Sequence, residues 1–217
     1  MQATMQTARS AVFTALAEAG FDVERIGELR RGDYRAAIPI LLEWLPWVED
    51  PYLRWAIVSA LGVSWARPVA APALIEEFHR ASDWPHGYKW AVGLALGGVA
   101  DDSVWEDIVP LVCNPAHGHA RQGVVMAFGR LRQPRAVDVL MALLGDRDAQ
   151  IVEQALDALG RLHAERALAR IDILTTHPDR WVRRAAARAL ARIGQTTRAS
   201  RAPGTSTPLS LARAGRS

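Results

Sequence analysis

Leu53-Arg54-Trp55-Ala56-Ile57-Val58-Ser59-Ala60-Leu61-Gly62 is a helical phrase that the chain writes again at residues 88–97, 120–129, 151–160 and 182–191. Aligned on the closing small residue, one column reads Ala60, Ala95, Ala127, Ala158 and Ala189, and the next reads Leu61, Leu96, Phe128, Leu159 and Leu190. The closing residues of successive copies are 35, 32, 31 and 31 positions apart. Such a period belongs to stacked helical hairpins, each too small to bury its own apolar face until a neighbour covers it. No segment of strand periodicity competes. The expected fold is all-α, a right-handed α-solenoid with one helical hairpin for each of the five copies.

Outward from the phrase, each copy is the second helix of its hairpin, and the first helices fall near 34–47, 68–81, 103–113, 134–144 and 164–176. Asp50, Asp148 and Asp179 stand where a short carboxylate can accept from the unpaired first-turn N–H groups of second helices. Among the first helices, Asp33 is a cap candidate, Pro68 and Pro134 suit first-turn positions, and Ser103 with Glu106 has capping-box spacing. Pro46 and Pro110 fall late in their helices, where a missing donor bends or shortens them. Ahead of the array, Ala11, Val12, Leu16 and Ala19 make one stripe of a helix over 3–19 that Gly20 stops, and a short helix over 23–31 follows. Residues 1–32 are thus expected to form an N-terminal helical cap and residues 33–194 the repeat array. From Gln195 the composition turns to Thr, Ser, Pro, Gly and Arg, which bury too little apolar surface to offset ordering entropy. Residues 195–217 are expected to be a disordered basic tail.

Half of the 217 residues are hydrophobic, enough for one continuous core. The formal charge of +3 is a property of the tail: Arg198, Arg201, Arg213 and Arg216 lie there without an acid, which leaves residues 1–194 at −1. Global charge therefore gives the folded part no warrant for nucleic-acid binding, and a polyanion-contacting tail is the lesser reading. Cys113 is alone, which excludes an intrachain disulfide, suits a reducing compartment and predicts a thiol buried in the core. With no secretory signal pattern and no run of about 18 apolar residues, a cytoplasmic protein without membrane association is expected.

Asp179-x-x-Val182-Arg183-x-x-Ala186-x-x-Ala189-Leu190, with looser copies at Asp148-x-x-Ile151 and Asp50-x-x-Leu53-Arg54, resembles the HEAT repeat, especially the short bacterial form called phycobilisome-lyase-like. The resemblance covers about residues 33–194 and implies a HEAT-like, armadillo-type superhelix. Ala37-Ile38-Pro39, Trp44-Leu45-Pro46, residues 99–104 and His117-Gly118-x-x-Arg121-Gln122 are similar to the phrasing of a group of small stand-alone bacterial HEAT-repeat proteins without an established activity. The chain departs from the general pattern at Val152, which lacks the usual basic residue, and at Pro85 and His117, which lack the usual acid.

At 3.6 residues per turn, Leu53, Ala56, Ile57, Ala60 and Leu61 define core columns, and the Trp55, Val58 and Ser59 columns face outward. These continue as Trp90, Gln122, Glu153, Arg184; Gly93, Val125, Leu156, Ala187; and Leu94, Met126, Asp157, Arg188. An apolar wall in three repeats thus gives way to charge in two, and a contiguous exposed apolar patch marks a binding surface. Trp44, Trp47, Trp65, Trp84, Trp105 and Trp181 are read as packing or edge contacts. A basic column, Arg54, Lys89, Arg121 and Arg183, is expected to pair with the acids that open second helices, except that Lys89 and Arg121 sit in copies lacking that acid and are freer to meet a ligand.

His117-Gly118-His119 lacks the further ligands a metal site needs, and no phosphate loop, dinucleotide fingerprint or nucleophile elbow occurs. No cofactor and no metal are expected. The reading that follows is a non-enzymatic module holding a peptide, helix or partner domain on its concave surface against Trp55, Val58, Trp90, Leu94, Val125 and Met126, with Arg54, Lys89 and Arg121 fixing orientation. HEAT-like scaffolds imply two enzymatic alternatives. One is a phycobilin-lyase-like protein. The other is a DNA-binding protein or alkyl-base DNA glycosylase, whose concave aromatics and arginines Trp55, Trp90, Arg54 and Arg121 echo.

Overall fold

The computed structural model describes residues 2–82, 87–131 and 133–201, with side chains between 9 and 195. Every regular element among them is helical. Helix α1 (Gln2–Glu18) buries Val12 and Leu16 completely and stops at Gly20, whose φ of +88° places it where a side chain is strained. Phe21 N–H donates to the Leu16 carbonyl at 2.8 Å and Gly20 N–H to that of Ala17 at 2.9 Å, a Schellman closure. A 3-10 segment, Ile26–Arg31, completes the cap and lies along the first repeat: Arg30 donates to the Ser59 carbonyl at 2.6 Å, and the Tyr34 hydroxyl just beyond it to that of Ala60 at 3.0 Å.

Among the described residues five hairpins follow. Helix α2 (Ile38–Trp44) packs on α3 (Pro51–Leu61), α4 (Ala70–Arg80) on α5 (Tyr88–Val99), α6 (Trp105–Cys113) on α7 (Gln122–Phe128), α8 (Ala136–Leu143) on α9 (Ala149–Arg161), and α10 (Leu168–Ile173) on α11 (Arg180–Arg201). Each second helix also packs on the next, α3 on α5 through to α9 on α11. The caps expected on second helices are present: Asp50 accepts from Tyr52 and Leu53 N–H, Asp148 from Gln150, and Asp179 from Trp181 and Val182. Among first helices Asp33 accepts from Arg35 N–H. The Ser103–Glu106 box does not form, because Asp101 takes both the Ser103 N–H and its hydroxyl. Pro68 and Pro134 lie just ahead of α4 and α8 rather than inside their first turns.

Two further expectations are corrected, the outward-facing Val58 column and the buried Cys113 thiol. Val58 and Val125 are fully buried, as are Gly93 and Leu156 in their column. A second helix in a stack is covered on three sides, by its own first helix and by both neighbouring second helices, so its outward stripe is narrower than that of a helix in an isolated hairpin. Ala187, in α11, is exposed because no further second helix packs there among the described residues. Cys113, the last residue of α6, is exposed, because it sits at the helix end rather than on the apolar face. Trp47 and Trp181 are exposed at 70% and 46%, the latter beneath the guanidiniums of Arg180 and Arg184, whereas Trp105 is buried. Trp84, Pro85 and His86 lie outside the described residues. The composition change at Gln195 does not end α11, which runs to Arg201; residues 202–217 lie outside the described residues.

Small residues set the seam between second helices. A Cβ on Gly62 would lie 2.8 Å from the Ala95 Cα, and one on Gly129 or Gly160 3.2 Å from the Cα of Ala158 or Ala189. In the middle the approach is closer still: a Cβ on Gly97 would strike the Gly123 carbonyl oxygen, and one on Gly123 the Gly93 carbonyl. Backbone meets backbone there, and only glycine permits it. Gly123→Ala is expected to lower stability by about 1–3 kcal/mol through forced separation of α5 and α7, whereas Gly27→Ala, with nothing within 4 Å of its Cβ, is expected to be neutral. Chemical denaturation of the two variants checks this, and equal effects would show that the seam is loose.

Candidate partner-binding face

The outward stripe consists of residues four apart on, or just past the end of, each second helix: Trp55, Ser59 and Val63; Trp90, Leu94 and Gly98; Gln122, Met126 and Arg130; Glu153, Asp157 and Arg161; Arg184, Arg188 and Arg192. Trp55, Trp90, Leu94 and Met126 are partly exposed and adjacent across α3, α5 and α7. The Trp55 ring lies 6.0 Å from that of Tyr88 and beside Gly87, where a Cβ would stand 3.6 Å from it, so one side of it is covered. The Trp90 indole N–H donates to Gln122 Oε1 at 2.9 Å, which fixes the ring against the next repeat. Toward the other end Arg188 lies 3.4 Å from Glu153 and 3.5 Å from Asp157, and Arg192 lies 3.6 Å from Asp157. The expected change from apolar to charged character is therefore a property of this stripe, with the Val58 column removed from it.

The basic column does something else. Arg54 grips Glu77 with two parallel bonds, at 2.9 and 3.0 Å, and donates to the Val48 carbonyl at 2.8 Å. Tyr88 donates to the same carboxylate at 2.7 Å, and Glu77 is 2% exposed. Burial, reinforced by the Glu77 hydrogen bond, pushes the Tyr88 phenol far above its ordinary value. Arg121, 1% exposed, forks onto Asp146 at 2.7 and 3.0 Å and closes the Val112 and Gly118 carbonyls. Arg183, in the last hairpin, stays exposed and donates to the His177 and Pro178 carbonyls. The expected acids, Asp50, Asp148 and Asp179, are occupied as caps; the true partners stand near the ends of first helices, where the residue repeat gave no cue. Arg121 is thus a buried fastener between hairpins rather than a ligand-facing cation. Lys89 stacks 5.0 Å over the Phe78 ring, and Val152, which replaces the basic residue, is buried.

His117 packs edge-on to Phe78, with ring centres 5.1 Å apart, and burial followed by Lys89, His79 and Arg121 holds it below the usual histidine value. Among the described residues no three metal-ligating side chains gather, and no helix is long and apolar enough to cross a membrane.

A stack of capped hairpins joined by second-helix seams, with buried charge pairs fastening one hairpin to the next, defines an α-solenoid. The family model for HEAT repeats matches residues 71–160, from α4 into the last turn of α9, and marks that stretch as HEAT repeats. A search of curated proteins found no match.

Burial works against the Asp146 carboxylate, yet hydrogen bonds from Arg121 and from the Asp148 and Arg147 N–H groups hold it below the usual carboxylate range. Its stabilising contribution is whole above the unfolded value of about 4 and is lost as pH falls through the lower folded value. Asp146→Asn is expected to cost about 3–5 kcal/mol at neutral pH by stranding a buried guanidinium, and the gap from the unaltered protein should close in acid. Urea titrations across pH measure both; a gap that persists undiminished in acid would remove the ionised pair from the account.

Proposed function

We propose that the protein is a non-enzymatic scaffold that holds a partner protein on its second-helix face, the inner surface of a curved repeat stack. HEAT repeats generally serve as protein-interaction scaffolds. The observation that carries the reading here is the strip of Trp55, Trp90, Leu94 and Met126, left partly open over three successive repeats while the same columns are charged in the last two. Aromatic and flexible apolar side chains at a partly desolvated surface are the groups that anchor interfaces. Arg54 and Arg121, the cations that a DNA-repair reading needs, are committed to Glu77 and Asp146. Val58 and Val125 drop out of the contact set because they are buried, and Lys89 keeps a place at its margin.

Leu94→Glu with Met126→Glu places two charges on the strip at side chains that are already partly exposed. Affinity capture from the native extract should retain a defined partner on the intact chain and lose it on this variant, with thermal unfolding little changed. The same retained proteins on both would refute the assignment of the face. Trp90→Ala should weaken capture by about 2 kcal/mol or more if its ring is an anchor.

A further inference from the structure

One turn beyond Leu94 and Met126, three arginines converge. Arg67, in the connection before α4, donates through Nε and Nη2 to the Gly98 carbonyl at 3.1 and 2.8 Å. Arg130, just past the end of α7, donates through Nη2 to the carbonyl of Gly97, the residue beside it. Neighbouring backbone oxygens thus hold two guanidiniums side by side. Arg161, at the end of α9, lays its Cδ over Gly129, 3.4 Å from where a Cβ would stand. Burial, followed by the charges of Arg67 and Arg161, pulls Arg130 below its ordinary value. Among the described residues none of the three joins an ion pair, whereas Arg188 and Arg192, further along the same stripe, both reach Asp157. The middle of the face therefore carries concentrated cation without counter-charge, in a molecule whose residues 1–194 sum to −1.

The cluster adjoins the apolar strip directly, since Leu94 and Gly98 are one turn apart on α5, and Arg130 follows Met126 by four residues, just past the end of α7. A ligand covering both needs an apolar face and a row of anionic groups along one edge. We propose that this composite surface binds an acidic amphipathic segment of a partner protein, its apolar side chains on Trp90, Leu94 and Met126 and its carboxylates on Arg67, Arg130 and Arg161. The assignment rests on the reading of this face as a protein-binding surface and adds the charge of what binds. Guanidiniums already oriented by backbone acceptors keep further N–H donors for a carboxylate fork. A nucleic acid fits less well: Leu94 and Met126 offer no stacking plane, and the Trp90 ring is tied to Gln122.

Peptides selected from a random display library on the immobilised full chain test this. Acidic residues interspersed with Leu, Ile, Met or Phe should be enriched. Fluorescence anisotropy of a selected peptide should show affinity falling about tenfold with Arg161→Glu and falling further with added salt. Arg161 is exposed at a helix end, so circular dichroism should show that variant folded; Arg130→Gln provides a second, charge-removing probe. Selected peptides that lack acids and respond to Met126→Glu but not to Arg161→Glu would overturn the acidic partner and leave the protein-binding reading standing. No selectable peptide, or peptides indifferent to both changes, overturns both. Tighter binding of an oligothymidylate probe, abolished by Arg161→Glu, would reassign the cluster to nucleic acid and overturn the proposal.

Discussion

Close approach of backbone to backbone between α5 and α7 is the constraint on which the stack depends. Gly93, Gly97 and Gly123 leave no room for a Cβ, and Gly62, Gly129 and Gly160 meet an alanine of the next second helix almost as tightly. Repeat arrays have no long-range contacts to hold them together, so each interface must supply its own share of stability. Small residues allow the larger side chains on either side, such as Val92, Leu96, Val124 and Phe128, to interdigitate at full burial. The Ala and Gly columns of the repeating phrase are therefore the seam itself.

Such tight stacking also decides where polar groups go. Once second helices touch along three sides, first-helix ends and inter-hairpin turns are the places left for charge, and there Arg54 meets Glu77 and Arg121 meets Asp146. Both pairs are bidentate, and the guanidiniums also close backbone carbonyls, so nearly every lone pair freed by burial is answered. The first helices are laced more loosely: Arg135 to Glu106 and Arg166 to Asp138 are exposed pairs between successive hairpins, worth little individually. What remains for solvent is one stripe per second helix, and its apolar middle adjoins three arginines that pair with no carboxylate among the described residues.

Much of this was legible in the sequence because period, cap and small-residue column are local properties. The spacing of 31 to 35 residues, the Asp caps of three second helices, the Gly20 stop and the change in the Trp55 column from aromatic to charged all depend on residues near one another in the chain. The proposed contact set was legible only in part. Trp55, Trp90, Leu94 and Met126 lie on the outward stripe, but Val58, Val125 and Arg121 do not. Helical periodicity gives the angle of a side chain about its own axis and says nothing of how many neighbours surround that axis.

The sequence by itself determined an all-helical stack and its gradient from apolar to charged, since each follows from a repeated pattern of about one turn. Only the tertiary structure decided which columns are sealed. Arg121 is buried and Arg183 exposed although they occupy the same place in the phrase, because further hairpins pack beyond one and none is described beyond the other. It alone brings Arg67, Arg130 and Arg161, from three different hairpins, to a common patch. Burial and charge clustering are sums over neighbours distant in the chain, and those neighbours are chosen by packing.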